Sequence, residues 1–437
     1  MPTLHFRYGA YLTREQVADL VAPHPDTLKL VNSWLKYNGV RSSSISATHG
    51  GGWLTVTGVP VAHANELLAA SYQFYHHSES NETILRTVSY ALPTALHTHV
   101  QTIAPTTAFT STRLLGQTPR SRSGGAAANL TLGGPVNISS RDISYVHPSY
   151  LRSVYGTSEY IPESIERNRL AIVGFDNDYP RKSDVDDFMS NFDKEAVAGA
   201  IFDYMPVNPG AGLFNPTERA GYRTQYGVAM SYPTPVIYFI VGGHPPLLFS
   251  SGWPTPDDPY LGWLNYMISL ESVPQTISIG SSTSETTIPQ QYAAAVCLLF
   301  GVLGARGSTV LTDSGNMGVG LGDCLDPSGD VHFYTIFPAS CTHFVQSLRM
   351  LFTGISRSPH LRNIAGPFIT SVGGTAGNPP EVATEFSGGG FSRHFSRPSF
   401  QDFAVAAFLL ELGTKYAGFY EWVFPRGLRK LIHTIMI

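Results

Sequence analysis

The stretch Pro216-Thr217-Glu218-Arg219-Ala220-Gly221-Tyr222-Arg223-Thr224-Gln225-Tyr226 gathers one carboxylate and two guanidiniums. On a helix, a spacing of four puts Arg219 and Arg223 on one face, a turn apart. Glu218, one position earlier, is turned by about 100° from Arg219. A carboxylate titrates in the acid range and can act as a general base where histidine is already charged. Glu218 therefore has two readings. It is a base that stands one position off the Arg219–Arg223 face and is reached by a local shift of the helix, or a solvent-facing residue that complements the helix dipole. A second stretch, Ser314-Gly315-Asn316-Met317-Gly318-Val319-Gly320, offers the amide of Asn316. An amide can donate a hydrogen bond to an oxyanion, and unlike a carboxyl it needs no added proton to do so. Asp313, beside it, reads as a turn residue. Ser281, Ser282, Thr283, Ser284 and Glu285 form a hydroxyl-rich run, and Ser387-Gly388-Gly389-Gly390 is a glycine-rich loop, weak on its own. The 15 histidines are not spaced as zinc ligands; scattered surface or core positions account for them.

The elements that must carry these residues alternate. Leu170–Phe175 is a continuous apolar run, as in a strand buried on both faces. A helix over Val185–Phe192 follows, then a strand over Pro235–Val241, a helix over Tyr260–Leu270, a strand over Gln275–Ile279, a helix over Pro289–Gly304 and a strand over Thr309–Thr312. That order predicts a parallel sheet with helices on both faces. The first hundred residues differ. Helices are predicted over Arg14–Leu20 and Pro25–Tyr37, with Asp26 as N-cap and Gly39 as stop, and a third over Val61–Tyr75. Strands are predicted over Trp53–Val59 and Ile84–Tyr90, giving a small α+β unit with an antiparallel sheet. Between the two regions, Ala108–Pro135 is rich in Ser, Gly, Thr and Arg without periodicity, and reads as a linker with Arg120-Ser121-Arg122 as a processing target.

Composition narrows the class. With 437 residues two domains are expected, and 43% hydrophobic residues suffice for a core. Charged residues are 14% and aromatics 12%, which argues against a disordered chain. The formal charge of −4 shows no basic stripe for nucleic acid. No apolar run is long enough for a membrane span, and Met1–Ala10 lacks the apolar stretch of a signal peptide. Cys297, Cys324 and Cys341 cannot all pair within one chain, and which two might pair stays open. Asn81, Asn129 and Asn137 begin glycosylation sequons.

Two sets of words carry a resemblance. Tyr8-Gly9-Ala10-Tyr11-Leu12-Thr13, Ala22-Pro23-His24-Pro25, Val31-Asn32-Ser33-Trp34-Leu35, Tyr90-Ala91-Leu92-Pro93 and Ile103-Ala104-Pro105-Thr106-Thr107 form the first. This set resembles the pro-kumamolisin activation domain, the propeptide of the sedolisins, or serine-carboxyl peptidases. Leu303-Gly304-Ala305-Arg306-Gly307, Phe337-Pro338-Ala339-Ser340-Cys341, Thr370-Ser371-Val372-Gly373-Gly374-Thr375 and Phe386–Ser392, followed by Arg397–Gln401, resemble the peptidase domain of the same family. The resemblance implies an α/β fold, a subtilisin-like parallel sheet preceded by the α+β propeptide. It divides the chain into a propeptide (1–107), a linker (108–135), an incomplete peptidase domain (136–420) and an aberrant tail (421–437). It further implies an extracellular zymogen, an acid pH optimum, one calcium ion and release of tripeptides from free amino termini. The implied partners are a peptide or protein substrate and the chain's own propeptide as intramolecular inhibitor, with neither nucleic acid nor membrane.

The chain departs from the family where the chemistry sits. A sedolisin uses a Ser nucleophile, a Glu base, an Asp four residues after the Glu, and a second Asp at the oxyanion. Anchored on Gln225-Tyr226, Arg219 takes the Glu position and Arg223 the Asp position; Asn316 takes the oxyanion Asp position. Ser281, Ser282, Ser387, Gly388 and Gly389 are the substrate-binding positions that the resemblance leaves. Beyond Gln401, Gly413-Thr414-Lys415 stands near where the family text breaks off, so the Ser nucleophile is expected to be absent, and the calcium ligands with it. Thr342–Gly366 interrupts a run that the family keeps short, and reads as translated intron sequence or as a surface loop. The expectation is a peptidase by descent, inactive in this chain. The alternatives are a non-catalytic peptide- or protein-binding relative, and a truncated sheet too exposed to be stable.

Overall fold

A computed structural model of the chain describes residues 9–76, 83–107, 109, 146–175, 177–193, 202–208, 216–242, 259–320, 324, 332–341, 368–376 and 382–413. The N-terminal unit begins with helix α1 (Arg14–Val21), whose start is fixed by a reciprocal capping box between Thr13 and Gln16. Helix α2 (Pro25–Tyr37) starts at a proline, and His24 rather than Asp26 caps it, its Nδ1 accepting from the Asp26 N–H. Strands β1 (Ile45–Ala47) and β2 (Leu54–Val56) pair antiparallel. Helix α3 (Val61–Leu67) follows, and then β3 (Gln73–His76) pairs antiparallel with β4 (Thr83–Arg86). The helix expected over Val61–Tyr75 thus stops early. Ala69 adopts a positive φ of 44°, the Asn65 side chain accepts from the Tyr72 N–H, and Phe74 and Tyr75 pair as a strand with Leu85 and Ile84. Local aromatic and hydrogen-bonding preferences override a helical spacing there.

The second unit is built on helix α4 (Pro148–Val154), strand β5 (Leu170–Gly174), helix α5 (Lys182–Phe192), strand β6 (Phe202–Val207), helix α6 (Glu218–Ser231), strand β7 (Val236–Val241), helix α7 (Pro259–Ser269), strand β8 (Thr276–Ile279), strand β9 (Thr283–Ser284), helix α8 (Gln290–Ala305) and strand β10 (Thr309–Asp313). Strands β11 (Ile336–Phe337), β12 (Thr370–Val372), β13 (Thr375–Ala376) and β14 (Val382–Ala383) and helix α9 (Asp402–Leu412) complete it. Six strands form one sheet in the order β12-β10-β8-β5-β7-β6, and every pair in it is parallel. Both faces are covered, as the apolar runs require. Ala171, Val173 and Phe175 face one core with Trp263 and Met267 of α7 and Val296 and Phe300 of α8. Ile172 and Tyr238 face the other, with Val185 and Met189 of α5 and Ala220 and Val228 of α6. This is the expected α/β parallel sheet behind a small α+β unit.

The chain winds from β5 out to β6 and β7, then crosses to β8 on the other side of β5. The carboxyl ends of β5 and β8 therefore flank a switch point, where such sheets open a crevice. Around that end, β9 pairs antiparallel with β11. A disulfide joins Cys297 of α8 to Cys341, their Cα atoms 5.2 Å apart, so the pairing left open by sequence excludes Cys324. The fully buried Glu285 accepts from Ser392 Oγ at 2.6 Å and from the Arg393 N–H at 2.7 Å, tying the segment before α8 to residues 392–393. The linker with Arg120–Arg122, the three sequons, residues 342–366 and the tail 421–437 lie outside the described residues.

Candidate active site

Helix α6 brings Arg219 and Arg223 to the carboxyl end of β5, and what they meet there is Asp178. Asp178 lies just past β5 and is 2% exposed. Its N–H bonds to the Phe175 carbonyl at 3.0 Å, while Asn177 turns the chain with a φ of 56°. Arg219 Nε donates to Asp178 Oδ2 at 2.9 Å, and Arg223 Nη1 lies 3.8 Å from the same oxygen. Thr217 caps α6 through its Oγ1, which accepts from the Ala220 N–H at 3.1 Å, and its hydroxyl donates to Asp178 Oδ1. One carboxylate thus holds the helix start and both arginines. A buried carboxylate needs such partners to stay ionised without a large desolvation cost.

Arg223 also reaches across the sheet: its Nη2 donates to the Gly280 carbonyl, just past β8. A methyl group at 280 would fall inside the guanidinium, so a side chain there would displace Arg223 from this position. Tyr238 of β7 is fully buried on the same face, and its hydroxyl has no hydrogen-bond partner among the described residues. Burial, reinforced by the nearby Asp178 charge, pushes that phenol far up, against the smaller pull of Arg223 and Arg219. It stays protonated.

Glu218 occupies the first turn of α6, is exposed, and makes no ion pair among the described residues. Its surroundings are those of a residue at a helix start facing solvent. Gln225, on the same helix, donates to the Asp184 carbonyl at 3.0 Å, and Tyr226 to the Val146 carbonyl at 2.6 Å.

The other expected positions lie further along the carboxyl edge. Ser281 and Ser282 are each 2% exposed: Tyr260 donates to the Ser281 carbonyl at 2.9 Å, and Ser282 Oγ donates to Asp313 Oδ1 at 3.0 Å. Asp313, expected as a turn residue, ends β10 and also accepts from the Gly315 N–H at 2.9 Å. Asn316 follows β10, half-buried, with no hydrogen bond to its amide among the described residues. The glycine-rich loop packs against this segment. Gly388 N–H bonds to the Gly315 carbonyl at 3.1 Å, Gly389 bridges to Val319, and Ser387 Oγ accepts from the Gly374 N–H at 3.1 Å. A side chain on Gly388 would collide with the Ser314 carbonyl. Ser281, Ser282, Gly388 and Gly389 thus make contacts that belong to the packing of the fold. The tripeptide Gly156-Thr157-Ser158 follows α4 and is exposed.

The arrangement joins two cations and one anion, and Asp178 is the residue sequence reasoning missed. Its signal was its place, an acid directly after a strand buried on both faces, at a switch point of the order. Among the described residues no three of His, Cys, Asp and Glu come together as a metal ion would require.

Residues 3–109 match the pro-kumamolisin activation domain. Tripeptidyl-peptidase SED2 of Arthroderma otae is 30% identical over 433 residues, an alignment covering 96% of this chain and 67% of that protein. Probable tripeptidyl-peptidase SED3 of Arthroderma benhamiae is 30% identical over 435 residues, covering 97% of this chain and 66% of that protein. The chain therefore spans about two thirds of the length of these relatives. Among solved structures, Pseudomonas sedolisin, a serine-carboxyl proteinase, aligns with a TM-score of 0.40 and 16% identity over 60% of this chain and 66% of that one. On the likeness to the tripeptidyl-peptidases, which runs through nearly its whole length, the chain belongs to the sedolisin family.

Proposed function

We propose that this chain is a sedolisin-family protein that does not hydrolyse peptides. The observation that carries the reading is the Asp178 ion pair with Arg219 and Arg223. Those two positions are where the family resemblance calls for the base and the acid that orients it. A guanidinium stays protonated at every working pH and has no lone pair with which to accept a proton. The carboxylate present, Asp178, is committed to two cations and a hydroxyl. Glu218, the displaced base considered above, is exposed at the helix start, away from these contacts.

In this reading the activity lost is the one the family resemblance implies, release of tripeptides from the free amino termini of peptides or proteins at acid pH. An extracellular setting is part of the proposal, and the Cys297–Cys341 disulfide supports it, since such bonds persist in oxidising compartments. The test is incubation of the purified chain with a peptide bearing a free amino terminus at pH about 4 to 5, where a Glu base would titrate. Mass spectrometry is expected to recover the peptide intact. Loss of an N-terminal tripeptide would overturn the reading.

A further inference from the structure

Helix α9 carries two charged residues, Asp402 at its start and Glu411 near its end, and is apolar everywhere between them. A helix that is apolar all round belongs in a core, yet α9 is covered on one side only. Val405 and Leu409 are buried there with Phe333 and Phe391. On the opposite side Phe403 is 87% exposed and Leu410 85%, with Ala404 and Ala407 open beside them. Phe400, in the turn that leads into the helix, is exposed as well. Steps of three, four and three place Phe400, Phe403, Ala407 and Leu410 in one stripe, the spacing of a seam between two helices.

The stripe is complementary to itself. It has a large residue toward each end and alanine between, and a two-fold contact requires one patch to fit its own copy. Laid antiparallel, Phe403 of each copy meets Leu410 of the other, and the alanines let the backbones approach at the centre. The charges agree with this pairing. Glu411 lies at the carboxyl end of α9, where the helix dipole disfavours an acid. In an antiparallel pair it comes to the amino end of the second copy's α9, which favours one, and toward Arg397, which pairs there with Asp402. Two such faces, with Phe408 at the flank, would bury on the order of 1,000 Å² together, the low end of specific contacts.

We infer that the outer face of α9 is a docking surface for a second copy of this chain, joined to it antiparallel across a two-fold axis. Such pairing needs nothing of the Asp178 cluster.

Sedimentation velocity of the purified chain between about 1 and 100 μM, the range suited to a contact of this size, is the experiment. The parent is expected to pass from monomer to dimer as concentration rises. Phe403→Glu sets a carboxylate into the seam of each copy and is expected to raise the dimer dissociation constant by about tenfold or more. Glu411→Lys, at an exposed position, is expected to weaken the dimer at low salt and to matter less at high salt. Circular dichroism confirms that both variants are folded. A parent that stays monomeric throughout, as it does if its own residues or a different protein cover the face, would overturn the inference. So would aggregation that does not stop at the dimer, or a Phe403→Glu variant that pairs as tightly as the parent.

Discussion

Gly388 has no room for a methyl group, because the Ser314 carbonyl occupies the place where it would sit. Gly388→Ala should therefore lower the unfolding free energy by about 1–3 kcal/mol, the usual cost of overfilling a packed site. Urea denaturation would read it, and an unchanged midpoint would remove the close approach from the account. The same contrast between residue type and residue place runs through the site. That Arg219 and Arg223 share one helix face could be read from their spacing of four. Asp178 could not: it lies 41 residues from Arg219, and only the sheet brings them together. The buried state of Ser281 and Ser282 was equally invisible, because hydroxyl-rich runs look alike whether they line a cleft or are closed by Tyr260 and Asp313.

Elements were legible in proportion to how strongly their own residues demand them. Strand β5 and helix α8 are buried nearly throughout and are almost wholly apolar, so their runs announced them. Strand β6 was missed: Asp203 is exposed and Pro206 interrupts the run, as suits a strand at the edge of a sheet. The β3 segment was misread as helix because turn chemistry at Asn65 and Ala69 outweighs spacing. The disulfide belongs to this scale as well, since it pins α8 to the segment after β11. It closes a loop of 44 residues. Replacing Cys297 and Cys341 together by Ala should cost about 3–4 kcal/mol through the freed unfolded chain. The check is thermal unfolding beside the parent. A parent that gains nothing from oxidation, melting alike with and without reductant, would contradict it.

At the scale of the whole molecule, the two ends of one parallel sheet carry different tasks. At the amino end, the carbonyls of Ala305 and Ser269 at the ends of α8 and α7 accept from Leu12 and Arg14. The carboxyl end, where sheets of this order place their chemistry, carries an ion-paired cluster that ties α6 to the loop after β5 and to the end of β8. Family membership supplies the expectation of a peptidase, and the charges at this end argue against hydrolysis. Asp178 is the anion that both arginines of this cluster face. Asp178→Asn keeps the shape and an acceptor for Thr217 but removes the negative charge that Arg219 and Arg223, 16% and 14% exposed, both face. The unfolding free energy of this variant, measured by urea denaturation beside the parent, is the most direct test. A loss of about 3 kcal/mol or more is expected, the usual penalty for stripping one partner from a buried ion pair. A variant as stable as the parent would mean that Arg219 and Arg223 are not held by Asp178, and that the site is open to a chemistry this account denies it.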